Sequence, residues 1–589
     1  MCLLCVSGTS SSIDETAGEM NTVAQGPGLP NYSLNQIADQ LINGYWESAG
    51  YEWRAFKLGA DRELTIDLHD LSADERFIAK TALAAWSDVT GIEFTEIKIT
   101  EESHFDAAAN RGTAHKIALG GAFYGKHETG DSDWIEVKLV EGRTYTFTLE
   151  PSGDDRLYDP RLVLRNPAGN IVATNDDAYA GTNNSQITFT AGATGSFYLQ
   201  AGSKYYHDVG EYKLSASRGG QDHAGAQISF INDDADSAWA GATHRDGHRI
   251  LNSLVNVGRD FHSADMALDS YWFTAYIHEI GHALGLGHAG NYNGTANWAD
   301  DAHYRQDSNL FSVMSYFMTG SGNPDMRNPY YKGSWGTVGT AMAADIVAIQ
   351  QLYGGGGKVR AGDTTYGANS NVGGYLGLLS GAMFDGDRVD ERVWSGGNMI
   401  LTIYDTGGTD RLDLSTVPVG QKINLGQNTL SSVGGFTNNM HIARGTIIEE
   451  LITGAGSDRL TGNSFANVMD GRDGNDKLMG LDGDDKLIGG AGRDVLRGGA
   501  GDDTLIGGLG ADRFQFTGGA DRAAAFEDDI DTLVLDRDLW GGGARSIDDI
   551  LASAVDLGSS VRLYFGAGNN IVLKGVSRIE DLRDDIAFI

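Results

Sequence analysis

Residues 453 to 515 repeat with a period of nine and no slip, and nothing else in the 589-residue chain restricts its fold as tightly. The units begin at Thr453, Gly462, Gly471, Gly480, Gly489, Gly498 and Gly507, and the clearest reads Gly498-Gly499-Ala500-Gly501-Asp502-Asp503-Thr504-Leu505-Ile506. Their sixth position holds Asp458, Asn467, Asp476, Asp485, Asp494, Asp503 and Asp512. Their eighth holds Leu460, Met469, Leu478, Leu487, Leu496, Leu505 and Phe514. A low-complexity glycine linker would not keep aspartate and an apolar residue in phase through every unit. Glycine permits the positive-φ backbone of a tight turn, whose carbonyls can face a cation. The aspartate adds a hard oxygen ligand suited to Ca²⁺. The apolar eighth residue points inward from a short strand and stacks on its neighbours, so the core grows one rung at a time. Without a cation the carboxylates stay unneutralised, and the region is expected to be largely unfolded in a low-calcium cytoplasm.

The charge balance agrees. Eighty acidic residues face 44 basic ones, a formal charge of −36. Phosphate binding needs basic patches, so nucleic acid is an unfavourable partner. Carboxylate-rich cation sites fit, although acidity for solubility alone gives the same total. The two cysteines, Cys2 and Cys5, provide no disulfide framework. The first basic residue is Arg54 and no long apolar run precedes it, so no Sec-type signal is expected. No stretch is apolar enough for stable membrane insertion.

A chain of this length is expected to hold several domains. Residues 1–30 are polar and small and read as a disordered segment or short propeptide. Helical patterning runs from Leu34 through Ile42, and Leu64–Leu68 alternates as a strand. Ser72 with Glu75 reads as a capping box for a helix whose buried stripe is Phe77, Ile78, Thr81, Ala85, Trp86 and Val89, stopping at Gly91. Ile92–Ile97 is another strand. From about residue 104 short strands follow at roughly ten-residue spacing, at Ile135–Leu139, Tyr145–Leu149, Leu162–Leu164, Ile187–Phe189, Phe197–Leu199 and Tyr212–Leu214. They describe a small β-sandwich that closes near Ser217–Gly220. Helix resumes over Tyr271–Leu286, and a second, Met342–Tyr353, ends at the glycine run Gly354–Gly357. A β module thus interrupts an α/β domain at about 104–220, and the repeat region follows from 355.

Within the first of these helices lies His278-Glu279-Ile280-Gly281-His282-Ala283-Leu284-Gly285-Leu286-Gly287-His288. His278 and His282 are four apart and share one helix face. That spacing presents two imidazoles to one tetrahedral Zn²⁺, and Glu279 can reach the remaining position to take a proton from water. A continuous helix could not return His288 to that metal, so Gly285 is expected to reverse the chain. Other histidines, such as His104, His244 and His262, read as ordinary surface residues.

The extended pattern HExxHxxGxxH resembles the metzincin metalloproteases. The likeness extends to Ser312-Val313-Met314-Ser315-Tyr316, where Met314 matches the methionine of the turn beneath the metal. Tyr316 matches the tyrosine that approaches zinc at rest and then stabilises the oxyanion. Together with the repeats, which are similar to RTX nonapeptides, this resembles the serralysins, secreted bacterial zinc endopeptidases, over about 31–103 and 225–589. Ala84–Val89 and Asp345–Gln350 carry further likeness. The resemblance implies calcium ligands at Asp405, Gly407, Asp410 and Glu449 ahead of the repeat aspartates. It implies a C-terminal address for type I secretion in Asp584–Ile589, protein or peptide substrates, and a monomer outside the cell. The fold it implies is α+β: a metzincin-like domain of 31–103 and 221–354 interrupted by the β-sandwich, then a parallel β-roll over 355–589.

Two features depart from that pattern. The insertion, through Gly130–Trp134 and Asp159–Leu162, is similar to the bacterial pre-peptidase C-terminal domain; it could bind substrate, gate the cleft or decorate it. Asp154, Asp155, Asp176 and Asp177 read as surface turn carboxylates, with a further calcium as the alternative. The other departure is Cys2 and Cys5, where a thiolate could block the metal as a latency switch. Two rival functions are an adhesive protein with a vestigial metal site and a zinc hydrolase of non-peptide substrates. The intact Glu279 and Tyr316 argue against the first and the complete triad against the second.

Overall fold

The computed structural model describes residues 28–589 except 102–106, 154, 178–183, 206, 219–225, 233–236, 259–265, 356–358, 386–391 and 541–544. Cys2, Cys5, His104, Asp154, His262 and parts of the 217–220 and 354–357 segments lie outside the described residues, as does 1–27. The architecture is mixed α/β, with many strands and few helices.

Ser72 and Glu75 form the expected reciprocal cap, and the helix Ala73–Thr90 ends at Gly91 with φ 65°. The first helix starts at Leu34 under a Ser33–Gln36 cap. It runs on through a π-type turn to Ser48 rather than ending at Ile42, because Tyr45 and Trp46 extend the buried face. Trp86, fully buried, donates its indole N–H to Ile277 O at 3.0 Å and ties the capped helix to the histidine-bearing one. Beneath them Ala55–Phe56, Arg249–Val257, Ile228–Ile231, Glu63–Asp67 and Glu93–Glu96 pair in parallel in that order. Ala238–Asp246 lies antiparallel on Arg249–Val257 and, among the described residues, pairs with no other strand. The apolar cluster that joins sheet and helices continues past the glycine run to Tyr375, Leu379, Met399 and Ile400.

The six strands expected between 104 and 220 all form, in a sandwich of a five-stranded and a four-stranded sheet. Two further strands belong to it: Gly121–His127, whose Gly121 and Gly125 dilute the alternation, and the exposed edge Ile171–Asn175. Lys98–Glu101, which precedes residue 104, pairs in parallel with Gly121–His127 and continues the five-stranded sheet. The junction is held by a buried ion pair between Lys213 and Asp67, whose Oδ2 also accepts from the Tyr124 hydroxyl at 2.7 Å. Burial opposes ionisation of Asp67, but the Lys213 ammonium outweighs it and holds the carboxyl below its usual value.

From Glu450 to Leu535 each strand pairs in parallel with the next but one. Leu478 stands opposite Leu496, and Leu487 opposite Leu505, eighteen residues apart in one face and then the other. Two sheets of ten and seven strands result, with every eighth-position residue from Leu460 to Phe514 fully buried between them. Gly492 and Gly510 show why the turns need glycine. Their φ values are 147° and 129°, and a Cβ would come within 1.5 and 1.7 Å of the carbonyl oxygens of Gly474 and Gly492.

Candidate metal centre and active site

The helix Tyr271–Ala283 places His278 and His282 on one face, both buried. Gly285 then reverses the chain with φ 106°, a conformation only glycine adopts without strain. Its hydrogen faces Arg54 O, which a Cβ would approach to 2.1 Å. The reversal sets His288 beside His282, with their Nε2 atoms 3.0 Å apart. One nitrogen from each of the three histidines lies within 4.8 Å of the others. His278 Nδ1 faces Val313 O and His282 Nδ1 faces Leu286 O, each at 2.8 Å. Those Nδ1–H donations leave the Nε2 lone pairs aimed inward. Burial pushes His278 down to about 4 and the other two well below their ordinary value, so all three imidazoles are neutral at pH 7. His278 Nε2 is buried with no hydrogen-bond partner. Such a convergence of lone pairs fits a tetrahedral cation with nitrogen ligands.

Glu279 lies next to the first histidine, 1% exposed, its Oε2 without a hydrogen-bond partner. Burial raises this carboxyl to about 8. Trp272, Val313, Trp335 and Val338 line a cavity shared with His278, Glu279 and Tyr316. Ala238, the first residue of the edge strand Ala238–Asp246, borders the same cavity.

Met314 is fully buried below the helix, and a Cβ on Gly281 would come within 2.7 Å of its sulfur. Tyr316 is buried with its ring 4.6 Å from that of His288, and its hydroxyl oxygen faces the Gly294 N–H at 3.4 Å. The turn itself hangs on Asp345, to which the sequence reading gave no role. Its carboxylate accepts from Ser312 Oγ at 2.6 Å, Val313 N at 2.7 Å and Met342 N at 2.9 Å. Val313 O in turn holds His278, so Asp345 positions the first histidine through one peptide. Its place at N3 of the helix Ala343–Tyr353 was the available signal. Asp345→Ala leaves three buried donors without an acceptor, at about 1–3 kcal/mol each. Calorimetry should show a large drop in the melting temperature of the helical part, and an unchanged value would refute this account of the turn.

In the repeats the sixth-position aspartates sit in stacked rows. Asp458 N donates to Asp476 Oδ1, Asp476 N to Asp494 Oδ1 and Asp485 N to Asp503 Oδ1, at 2.7 to 2.9 Å. The Oδ2 atoms of Asp458, Asp476, Asp485, Asp494, Asp503 and Asp512 are all buried without a hydrogen-bond partner. Burial pushes Asp476 and Asp485 up to about 7. Rows of orphaned hard oxygens beside turn carbonyls fit Ca²⁺. The ladder runs two rungs beyond the regular repeat, since Asp503 N and Asp512 N donate to Asp521 and Asp531. Asp521 keeps the nine-residue phase and was legible; Asp531 is one residue out of it. Upstream, Asp405, Asp410 and Glu449 come together. Asp410 N donates to Glu449 Oε2 at 2.7 Å, and Gly407, with φ 140°, donates to Asp405 Oδ1 at 3.0 Å. Burial, with the charges of Asp405 and Glu449, raises Asp410 to about 7.

Parts of the chain are similar to known proteins. Residues 356–548 match the family described as Peptidase M10 serralysin C terminal. The chain is 40% identical over 206 residues to "Metallopeptidase AprA" of Pseudomonas marginalis, covering 34% of this chain and 39% of that one. It is 35% identical over 215 residues to "Serralysin" of Photorhabdus luminescens, covering 36% and 40%. Over 290 residues it is 33% identical to "Metalloprotease AprA" of Pseudomonas entomophila, covering 48% and 51%. The chain thus spans about two fifths to half the length of the curated relatives it matches. It is similar to serralysin-type metalloproteases, and it carries their C-terminal domain. A crystal structure of the pre-peptidase C-terminal domain of collagenase from Bacillus anthracis aligns over 20% of this chain and all of that one, with 18% identity and a TM-score of 0.15.

Proposed function

We propose that the chain is a secreted, calcium-stabilised zinc endopeptidase acting on extracellular proteins. The observation that carries this reading is the convergence of His278, His282 and His288 beside a buried, unpartnered Glu279 carboxylate oxygen. In this reading residues 31–103 and 221–354 form a discontinuous catalytic domain of metzincin arrangement. Residues 104–220 are an inserted β-sandwich, and 355–589 are a parallel β-roll that holds Ca²⁺ at its aspartate rows. The C-terminal segment Asp584–Ile589 serves type I secretion, and the enzyme works as a monomer.

Zinc at the three imidazoles would supply Lewis-acid polarisation of a water molecule and of the scissile carbonyl. The chain's own groups do the rest. The free edge of Ala238–Asp246 can accept an extended substrate as an added strand, which lays a peptide bond across the cavity mouth. Glu279 takes the proton of the attacking water and returns it to the leaving amine. The Tyr316 hydroxyl donates to the oxyanion after leaving its resting contact.

The test is casein hydrolysis by the full chain in millimolar calcium, with bound zinc quantified, beside His282→Ala. Hydrolysis by the parent is expected, with His282→Ala losing the activity together with one equivalent of zinc. A parent that binds zinc but cleaves nothing, or that binds no zinc, would favour a calcium-dependent binding protein instead.

A further inference from the structure

The inserted β-sandwich contains a second convergence of ligand types, remote in sequence from the histidine triad. His127 is the last residue of Gly121–His127, where it faces Gly210 in the five-stranded sheet. Asp133 is the first residue of Asp133–Leu139, opposite Ala201 in the four-stranded sheet. Asp131 lies in the turn that carries the chain from one sheet to the other, shaped by Gly130 with φ 81°. One ligand atom of each of the three lies within 4.8 Å of the others. His127 and Asp133 are 4% and 0% exposed, so the group sits in the end of the sandwich rather than on its surface.

The oxygens are oriented in the manner of a ligand set. Asp131 Oδ1 accepts from Ser132 N at 2.5 Å, which turns Oδ2 inward, where it is buried with no hydrogen-bond partner. Asp133 Oδ2 accepts from the buried Tyr212 hydroxyl at 2.7 Å, fixing that carboxylate from behind as outer partners fix metal ligands. Two carboxylates this close in a buried place repel each other, and a divalent cation would cancel both charges at once. The same pattern of inward-turned, unsatisfied oxygens marks the aspartate rows of the repeats. The trio Asp529, Asp584 and Asp585, all carboxylates with only Asp585 buried, lacks the imidazole.

We propose that His127, Asp131 and Asp133 form a structural site for a divalent transition cation of the Zn²⁺ type. One nitrogen and two carboxylate oxygens suit that class, whereas Ca²⁺ takes about six to eight ligands, nearly all oxygen. The cation clasps the crossing between the two sheets and fixes the end of the insertion farthest along Gly121–His127 from its pairing with Lys98.

The test uses the full calcium-loaded chain, equilibrated with zinc, dialysed and analysed for metal, beside Asp131→Asn. The parent should hold one more equivalent of zinc than the variant, whatever the histidine triad contributes to both. Equal zinc in the two would overturn the site. Loss of a calcium equivalent instead of zinc would overturn the assigned cation class. If Asp131→Asn fails to fold by circular dichroism, cobalt titration of the His282→Ala chain decides: saturable visible absorption at one equivalent is expected, and its absence rejects the site.

Discussion

Chelating calcium from the folded chain should abolish the strand structure of residues 405–535 while the helices around His278 persist. The six repeat aspartates present buried Oδ2 atoms that find no hydrogen-bond partner among the described residues. An unsatisfied buried group costs about 1–3 kcal/mol, more when charged. Six of them together match the whole net stability of a domain, about 5–15 kcal/mol. The rungs cannot escape by rearranging, because Asp476, Asp485, Asp494, Asp503 and Asp512 each accept from a backbone N–H eighteen residues away, and Asp458 from Gln421 N, so a shift of one breaks the ladder along its length. Far-ultraviolet circular dichroism through a chelator titration measures this, with re-addition of calcium, and not magnesium, restoring the spectrum. Mg²⁺ demands a small octahedral shell and keeps its waters, which rows of bidentate-capable carboxylates and carbonyls do not replace. A strand signal indifferent to chelation would sink the assignment of these aspartates to calcium.

The parts of the molecule that local sequence reveals are those whose geometry is local. A phase of nine that never slips can only be satisfied by strands stacking at a fixed interval, and the pairing of Leu487 with Leu505 follows from it. Helix spacing brings His278 to His282, and a positive-φ glycine is the simplest way to bring His288 back. What escaped the sequence is long-range. Gly121–His127 lacks a strong alternation and exists as a strand because Gly210–Arg218 and Lys98–Glu101 pair on either side of it. Lys98–Glu101 itself reads as part of the first domain yet completes a sheet of the insertion. Asp345 looks like a helix-start carboxylate, and only the fold shows that it holds the Ser312–Tyr316 turn beside His278. His127 and Asp133 are separated by a turn and belong to different sheets, so no spacing rule selects them.

Glu279→Ala is expected to lower kcat/KM on casein by about 10²–10⁴-fold, the range for loss of a general base. The variant should keep its zinc, because the groups that orient His278 and His282 are the carbonyls of Val313 and Leu286, which the substitution does not touch. That separates it from His282→Ala, which loses metal and activity together. Truncation also opens space in a site where the carboxylate is 1% exposed, so Glu279→Gln is the sharper comparison. Glutamine keeps the shape and the buried oxygen but cannot accept a proton from water. If its loss equals that of alanine, proton transfer is the role of Glu279. If Glu279→Gln keeps most of the activity, the side chain only shapes the cavity, and the base must be sought elsewhere along its wall.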